Sequence, residues 1–315
     1  CDCGYIPTKE DIKNATCIDC GSGVALRKNK NLYLALSKLQ KNIEKYVEKN
    51  EKEWRKNTVN ETHKYLTQGL KDRAVTRNLD WGVDIPVEGY EDKKMYVWID
   101  AVLGYLTATM KYCEQEKMNW TDWWYENENN RMYMVHGKDN ITFHTIILPG
   151  LLMGLGENYK LPDRIVSTEY LNYDGQKFSK SKGVGKTILD ALQTYDADTL
   201  RFYLLKSGPE NKDTNFTEEE YHSIHNEINN KLGNFVNRTL NYKGLSKIEV
   251  GKIDNNIKTK IIELYEEMAI LMEKCEFKNV TNKIIEVLDY ANKYYDDRKP
   301  WLQIKENAEE FKNTI

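Results

Sequence analysis

The chain has no apolar run long enough to span a bilayer as a helix: its longest apolar cluster, residues 146–155, is broken by Pro149, Gly150 and Gly154 and reads as a buried helix. Charge of one sign is missing too. With 46 Lys and Arg against 49 Asp and Glu the formal net charge is -3, so no global field draws nucleic acid and any such partner must be met by a local patch. Cysteine is scarce: six in 315 residues are too few for a disulfide scaffold, yet Cys1, Cys3, Cys17 and Cys20 crowd the first twenty positions, which favours metal. The first residue is not methionine and no charged-then-apolar leader follows, so no secretory signal is read and the amino end is expected to be cut from something longer. What is present suits a folded protein, with 40% apolar residues, 21 tyrosines and a mean hydropathy of -0.72. The length allows two or three domains.

Along the chain the patterning changes. Residues 1–30 are rich in Cys and Gly with little periodicity, as in a stapled knuckle. From Leu32 to about Leu70 the sequence is helical and charged, with Leu36, Leu39, Ile43, Tyr46 and Val47 on one stripe, and is expected to form a surface excursion. The middle third places β-forming runs before helical ones: MYVWI (95–99) before AVLGYLTATMKY, and RMYMV (131–135) before the stretch from Asn140. Asp100, and Asp139 or Asn140, stand where they would cap the following helices, and RIVST (164–168) reads as a third strand. That alternation predicts an α/β fold with a Rossmann-like parallel sheet, whose ligands sit beyond the carboxyl ends of the strands, at 98–100 and 136–139. The 120s, WTDWWYENENNR, read as an exposed connection. From about Thr217 apolar residues recur at helical spacing in three sets, which predicts a helical bundle breaking at Pro300.

The stretch DGQKFSKSKGVGKT (174–187) admits two phosphate-handling readings. A P-loop ending at Gly185-Lys186-Thr187 needs a glycine at 180, where Lys180 stands, and so fails at the turn that wraps the phosphates. KFSKS, by contrast, sets two lysines three apart beside Ser179 and Ser181 in a glycine-flanked segment. Such a cation suits a reaction in which charge grows on a leaving pyrophosphate. Taken alone, it is more simply a solvated basic turn.

Taken together, YVWIDAVLGY (96–105), HGKDNITFH (136–144), DGQKFSKSKG (174–183), YDADTLRFYL (195–204) and the run 234–238 resemble a class I methionyl-tRNA synthetase, in order and spacing, across nearly the whole chain. The resemblance implies ATP-dependent activation of L-methionine and its transfer to tRNA(Met), with ATP and Mg2+ as substrate. It assigns Lys177, Ser179, Lys180 and Ser181 to the KMSKS loop, with Phe178 in place of methionine, and Gly137 and Asp139 to the nucleotide ribose. It lines the methionine pocket with Trp98, Ala101, Tyr105, Phe143 and His144, aromatic walls that suit a thioether. Val102 replaces a common proline and Leu148 stands where some relatives have tryptophan. His144 could be read as a general base, and the resemblance places it in the pocket. Arg77 matches an arginine near the mobile loop. Asn234, Arg238 and Trp301 align with residues that read the CAU anticodon, where amide and guanidinium edges and an indole face suit splayed bases.

Cys17-x-x-Cys20-Gly is a good half of a zinc knuckle, whereas Cys1-x-Cys3 is not the usual half, which leaves a complete Zn2+ site and an incomplete or metal-free one both open. Cys113 and Cys275, on helical patterns, read as packing thiols. The expected organisation is a connective segment with the knuckle at 1–68, the second half of the catalytic domain at 69–165, the KMSKS and stem-contact region at 166–216, and an α-helical anticodon-binding domain at 217–315. No H-x-G-H motif occurs, so the chain alone is expected not to exchange ATP with pyrophosphate, the missing strand and last helices being expected outside residues 1–315. A sister class I synthetase and a non-catalytic tRNA-binding relative are the alternatives. No membrane partner is expected, and the cytoplasm is the default compartment.

Overall fold

The computed structural model describes residues 9–18, 20–25, 29–156, 158–179, 183–242 and 251–315. Contacts divide the chain into two units, 1–40 with 69–120 and 41–68 with 121–315. Among the described residues no helix is long and apolar enough to cross a membrane.

In the first unit a helix, Lys9–Asn14, leads into a small turn closed by an antiparallel bridge between Thr16 and Gly23. Two short antiparallel pairs follow, Tyr33–Leu34 with Arg73–Ala74 and Thr76–Arg77 with Lys94–Met95. MYVWI is not a strand beyond Met95. A helix runs Val97–Glu116, and its buried residues Ile99 and Val102 are three apart, the spacing of one helix face rather than the alternation of a strand. Asp100 lies in its first turn, where a carboxylate complements the helix dipole, but no side chain caps the helix at Tyr96.

The second unit is built on a parallel pair, Tyr133–Gly137 with Arg164–Thr168, in register from Tyr133 opposite Arg164 to Gly137 opposite Thr168. RIVST is a strand as read, while RMYMV starts two residues late and extends through Gly137. Ile165, Val166 and Ser167 are buried, so this strand is covered on both faces. A helical stretch beginning at Ile141, π-helical over Phe143–Ile147 and α-helical over Leu148–Gly154, buries His144 through Leu148 and Leu152, which makes the 146–155 cluster the buried helix its composition implied. Neither Asp139 nor Asn140 caps it: the preceding 3-10 turn, Lys138–Asn140, starts at Gly137 without a side-chain cap.

Residues 43–66 are not a surface excursion. Ile43, Val47, Trp54 and Thr58 are buried, Trp54 Nε1 donates to Asp163 O at 3.0 Å, Tyr46 donates its hydroxyl to Pro162 O at 2.9 Å, and Thr58 and Ser167 share a hydroxyl hydrogen bond of 2.7 Å. The segment that suggested a surface excursion instead carries residues that meet the strand Arg164–Thr168, through Thr58, and the turn before it, through Tyr46 and Trp54. The 120s are likewise only partly exposed, with Trp124 buried and Trp123 open.

A three-stranded sheet, Gln176–Lys177, Leu171–Tyr173 and Thr214–Phe216, follows. It packs with the helices Ala197–Lys206 and Glu218–Ile228 around Tyr195, Tyr203, Phe216 and Tyr221. Thr217 caps the second of these helices by accepting from Glu220 N, at the position where the sequence begins to read as helix. That helix passes through a π-turn, Asn229–Gly233, into Asn234–Leu240, and then come Asn255–Glu273 and Phe277–Arg298. The break falls as expected at Pro300, with Lys299 in the left-handed region at φ 49°, and two further short helices, Pro300–Glu306 and Ala308–Thr314, continue the chain. Cys113 and Cys275 are buried thiols, as their helical surroundings implied.

Candidate functional site

The carboxyl ends of the parallel pair deliver Gly137 and Thr168 side by side, and the turn after Gly137 carries Lys138 and Asp139. A Cβ built on Gly137 would meet nothing within 4 Å, so internal packing does not require glycine there, and open space lies in front of it. After Thr168 the chain reaches Tyr170, whose hydroxyl donates to Asp139 Oδ1. The same ring is flanked by two ammonium groups, those of Lys138 and Lys177, each 4.0 Å from its centre.

Those two lysines are electrostatically different. Lys138 is bonded to Glu169 at 2.6 Å and Asp213 at 2.9 Å, and the Glu169 hydrogen bond, followed by that of Asp213, raises its pKa above the ordinary lysine range. Lys177 has no carboxylate partner among the described residues and is exposed, its charge uncommitted. It closes a hairpin with Asn172 opposite, turned by Asp174 and Gly175 at φ 46° and 76°, as an Asp-Gly pair in a two-residue hairpin loop requires. Beyond it Phe178 packs edge-on against Tyr173, and Ser179 pairs with Val184 through two backbone hydrogen bonds of 3.1 and 3.0 Å. Lys180, Ser181 and Lys182 lie outside the described residues.

The competing P-loop reading fails here as well. Lys186 Nζ is bonded to the Tyr195 hydroxyl at 3.0 Å and to Glu218 at 3.3 Å, and Thr187 caps the helix Ile188–Thr194. Both residues serve the fold.

The residues that the resemblance assigns to methionine fall in two sets. Trp98, Ala101 and Tyr105, at spacings of three and four, share one exposed face of the helix Val97–Glu116 in the first unit, where Arg77 stacks on Tyr96 with its guanidinium carbon 4.0 Å from the ring centre. In the second unit Phe143 is half-buried and His144 is buried, its Nδ1 donating to Asn140 O at 2.8 Å. His144 stacks on His136, with centroids 4.2 Å apart and planes 18° from parallel, and His136 donates its own Nδ1 proton to Gly137 O at 2.9 Å. Burial, then the neighbouring His144, depresses the His136 pKa to about 4, and burial lowers that of His144, so both rings are neutral at pH 7.

In the helical part Asn234 and Arg238 lie on Asn234–Leu240, and Arg238 reaches Phe277–Arg298, where Asp296 takes its Nη2 hydrogen. Its guanidinium carbon stands 4.3 Å from the centre of the Tyr295 ring, and Trp301 lies against the same ring with centroids 6.0 Å apart. Sequence reading missed Tyr170 and the pairing role of His136 and Tyr295. Tyr170 follows a strand in a polar turn, where nothing in its spacing distinguishes it, while Tyr295 reads as one more core position of an amphipathic helix.

Near the amino end, Cys17 N donates to Ser22 O at 2.8 Å and Gly21, at φ 70°, donates to Cys17 O at 2.9 Å, a tight turn that holds Cys17 and Cys20 at its two sides. Among the described residues no three His, Cys, Asp or Glu side chains are grouped to hold a metal, and Cys1 and Cys3 lie outside them.

Against known proteins, residues 1–240 match the family described as tRNA synthetases class I (M). Methionine--tRNA ligase 1 of Alkaliphilus oremlandii (strain OhILAs) is 37% identical over 320 residues, and methionine--tRNA ligase of Bacillus cereus (strain B4264) is 40% identical over 324; both alignments take in all of this chain and 59% of the relative. The chain thus spans about three fifths of the length of these curated relatives. The crystal structure of Mycobacterium tuberculosis methionyl-tRNA synthetase bound by methionyl-adenylate superposes with a TM-score of 0.75 at 23% identity, over 95% of this chain and 60% of that one. Its apo form gives 0.74, also at 23%, over 95% and 59%. At that identity the likeness speaks for the fold, an α/β class I synthetase fold with parallel strands and helices. With the match covering residues 1–240 of 315, this chain belongs to the tRNA synthetases class I (M).

Proposed function

We propose that this chain serves a methionine–tRNA ligase, which activates L-methionine with ATP and Mg2+ to methionyl-adenylate and transfers it to tRNA(Met). The observation that carries this reading is the cluster of Lys177, Tyr170 and Asp139 beyond the carboxyl ends of the parallel strands. In this reading Asp139 accepts from ribose hydroxyls, and the open space in front of Gly137 supports the approach of a nucleotide there. On the same reading Lys177 stabilises the charge that develops on the departing pyrophosphate, a contribution larger in the transition state than in the ground state. Lys180, with Ser179 and Ser181, completes the loop in this proposal.

Trp98, Ala101, Tyr105, Phe143 and His144 are proposed to contact methionine. A neutral His144, with Nδ1 held by Asn140 O, is an uncharged ring rather than a cation, which suits an uncharged thioether side chain. Asn234, Arg238 and Trp301 are proposed to read the CAU anticodon, within a helical domain at 217–315. Cys17 and Cys20 are proposed as the thiolate pair of half a zinc knuckle, since their tight glycine turn suits two ligands facing one tetrahedral ion, with Cys1 and Cys3 as the other pair. The reading is tested by an amino-acid panel in thermal shift on the complete protein with ATP. Stabilisation by methionine alone is expected, and stabilisation by isoleucine, leucine or valine instead would assign a sister synthetase.

A further inference from the structure

Arg238 and Trp301 are 63 positions apart, on different helices, and are joined in space by one side chain that is assigned no role above. Tyr295 is buried at 5% exposure. One side of its surroundings holds the Arg238 guanidinium, 4.3 Å from ring centre to carbon, and the Trp301 indole lies 6.0 Å away, tilted by 39°. Phe235, one residue after Asn234 on the same helix, meets the ring edge-on at 6.2 Å. The Tyr295 hydroxyl donates its one proton to the Arg238 carbonyl oxygen at 3.1 Å, so the 2.6 Å hydrogen bond that it shares with Tyr242 must be donated by Tyr242. Tyr295 therefore holds Arg238 twice, by its guanidinium and by its backbone, while its neighbour Asp296 takes Nη2.

We infer that Tyr295 is a positioning residue for anticodon recognition, setting the spacing between the guanidinium of Arg238 and the indole of Trp301 at which one RNA base is hydrogen-bonded while another is stacked. The inference rests on the reading of this domain as an RNA-binding bundle. Its physical basis is pre-organisation: Arg and Trp side chains left to find their own rotamers lose freedom on binding, and a buried ring in contact with both removes that loss beforehand. The partner is single-stranded RNA in a loop, because only unpaired bases offer both an edge and an open face.

The experiment uses the complete protein with two RNA hairpins, one bearing a CAU loop and one with the cytosine changed to adenine. Tyr295→Leu is expected to weaken the CAU hairpin about tenfold, the size of a lost aromatic and cation contact, and the altered hairpin far less, so that discrimination falls. Tyr295→Phe, which keeps the ring, is expected to retain most of the discrimination and so covers the case in which the leucine variant does not fold. Discrimination left intact in folded Tyr295→Leu, while Arg238→Ala and Trp301→Ala abolish it, overturns the inference and leaves the anticodon reading standing. Discrimination left intact in Arg238→Ala and Trp301→Ala overturns the anticodon reading itself, and the role of Tyr295 with it.

Discussion

The ammonium of Lys177 rests 4.0 Å above the ring of Tyr170, and the hydroxyl of that tyrosine is bonded to Asp139. One aromatic side chain therefore joins the first lysine of KFSKS to the carboxylate of the HGKDN turn, two stretches nearly forty residues apart. Lys138 occupies the other ammonium site on the ring but is paired with Glu169 and Asp213, whereas Lys177 has no carboxylate partner among the described residues.

Replacing Lys177 by alanine is expected to lower methionine-dependent ATP–pyrophosphate exchange by the complete protein by about a hundredfold in kcat, as when a single charge-stabilising donor is removed from an active site. Tyr170→Phe keeps the ring beneath Lys177 but removes the bond to Asp139, so its effect should fall mainly on KM for ATP. Steady-state exchange kinetics separate the two, and an unchanged kcat in Lys177→Ala would end the assignment of this lysine to the reaction.

The histidine pair makes stability depend on pH. Burial and the neighbouring His144 hold the His136 pKa at about 4 in the fold, below the ordinary value of 6.5, so between those values the unfolded chain binds more protons than the folded one. Stability is therefore full above pH 6.5 and is lost as the pH falls toward 4, by on the order of 2 kcal/mol at pH 5. Urea denaturation of wild type and His136→Phe at pH 8 and pH 5 checks this. The phenylalanine keeps the stack and should flatten the pH dependence; equal slopes for both proteins would contradict it.

A single methyl group at Gly185 is expected to disturb the KFSKS segment. Gly185 sits at φ 95°, and a Cβ added there would overlap Cδ1 and Cε1 at the edge of the Phe178 ring. Gly185→Ala must displace Phe178 from Tyr173 as well as strain the backbone, a loss of about 1–3 kcal/mol in thermal or chemical unfolding. Adding Phe178→Ala should recover the steric part and leave the backbone part. If the double variant is no more stable than the sum of the two single changes predicts, the ring and the glycine are not coupled.

Zinc bound through the amino-terminal thiols should appear as one equivalent of metal by atomic emission on protein purified without chelator. Cys17→Ser should remove it and Cys113→Ser should not. A wild-type protein with no zinc after reconstitution would leave the knuckle as a turn held by its backbone hydrogen bonds alone.

What could be read without coordinates was the material that depends on local order. The five motifs and their spacing identified the family, the strand 164–168 follows from a β-forming run, the helical stretch from about Thr217 follows from its apolar spacing, and the break at Pro300 follows from a missing N–H, whereas the caps read at Asp100 and at Asp139 or Asn140 are not made. MYVWI was misread because a short apolar run satisfies strand and helix alike until its neighbours decide which face is buried. The apolar stripe of 36–47 announced a helix but could not say what it would meet, and Tyr46 on that stripe bonds Pro162 O, 116 residues away, just before the strand Arg164–Thr168. Tyr170 and Tyr295 show the same division. Composition and spacing decide which side chains are available, but a ring placed between two charges, or between a guanidinium and an indole, exists only once distant segments meet, because ring and charge contacts act over a few ångströms and carry no periodic trace along the chain.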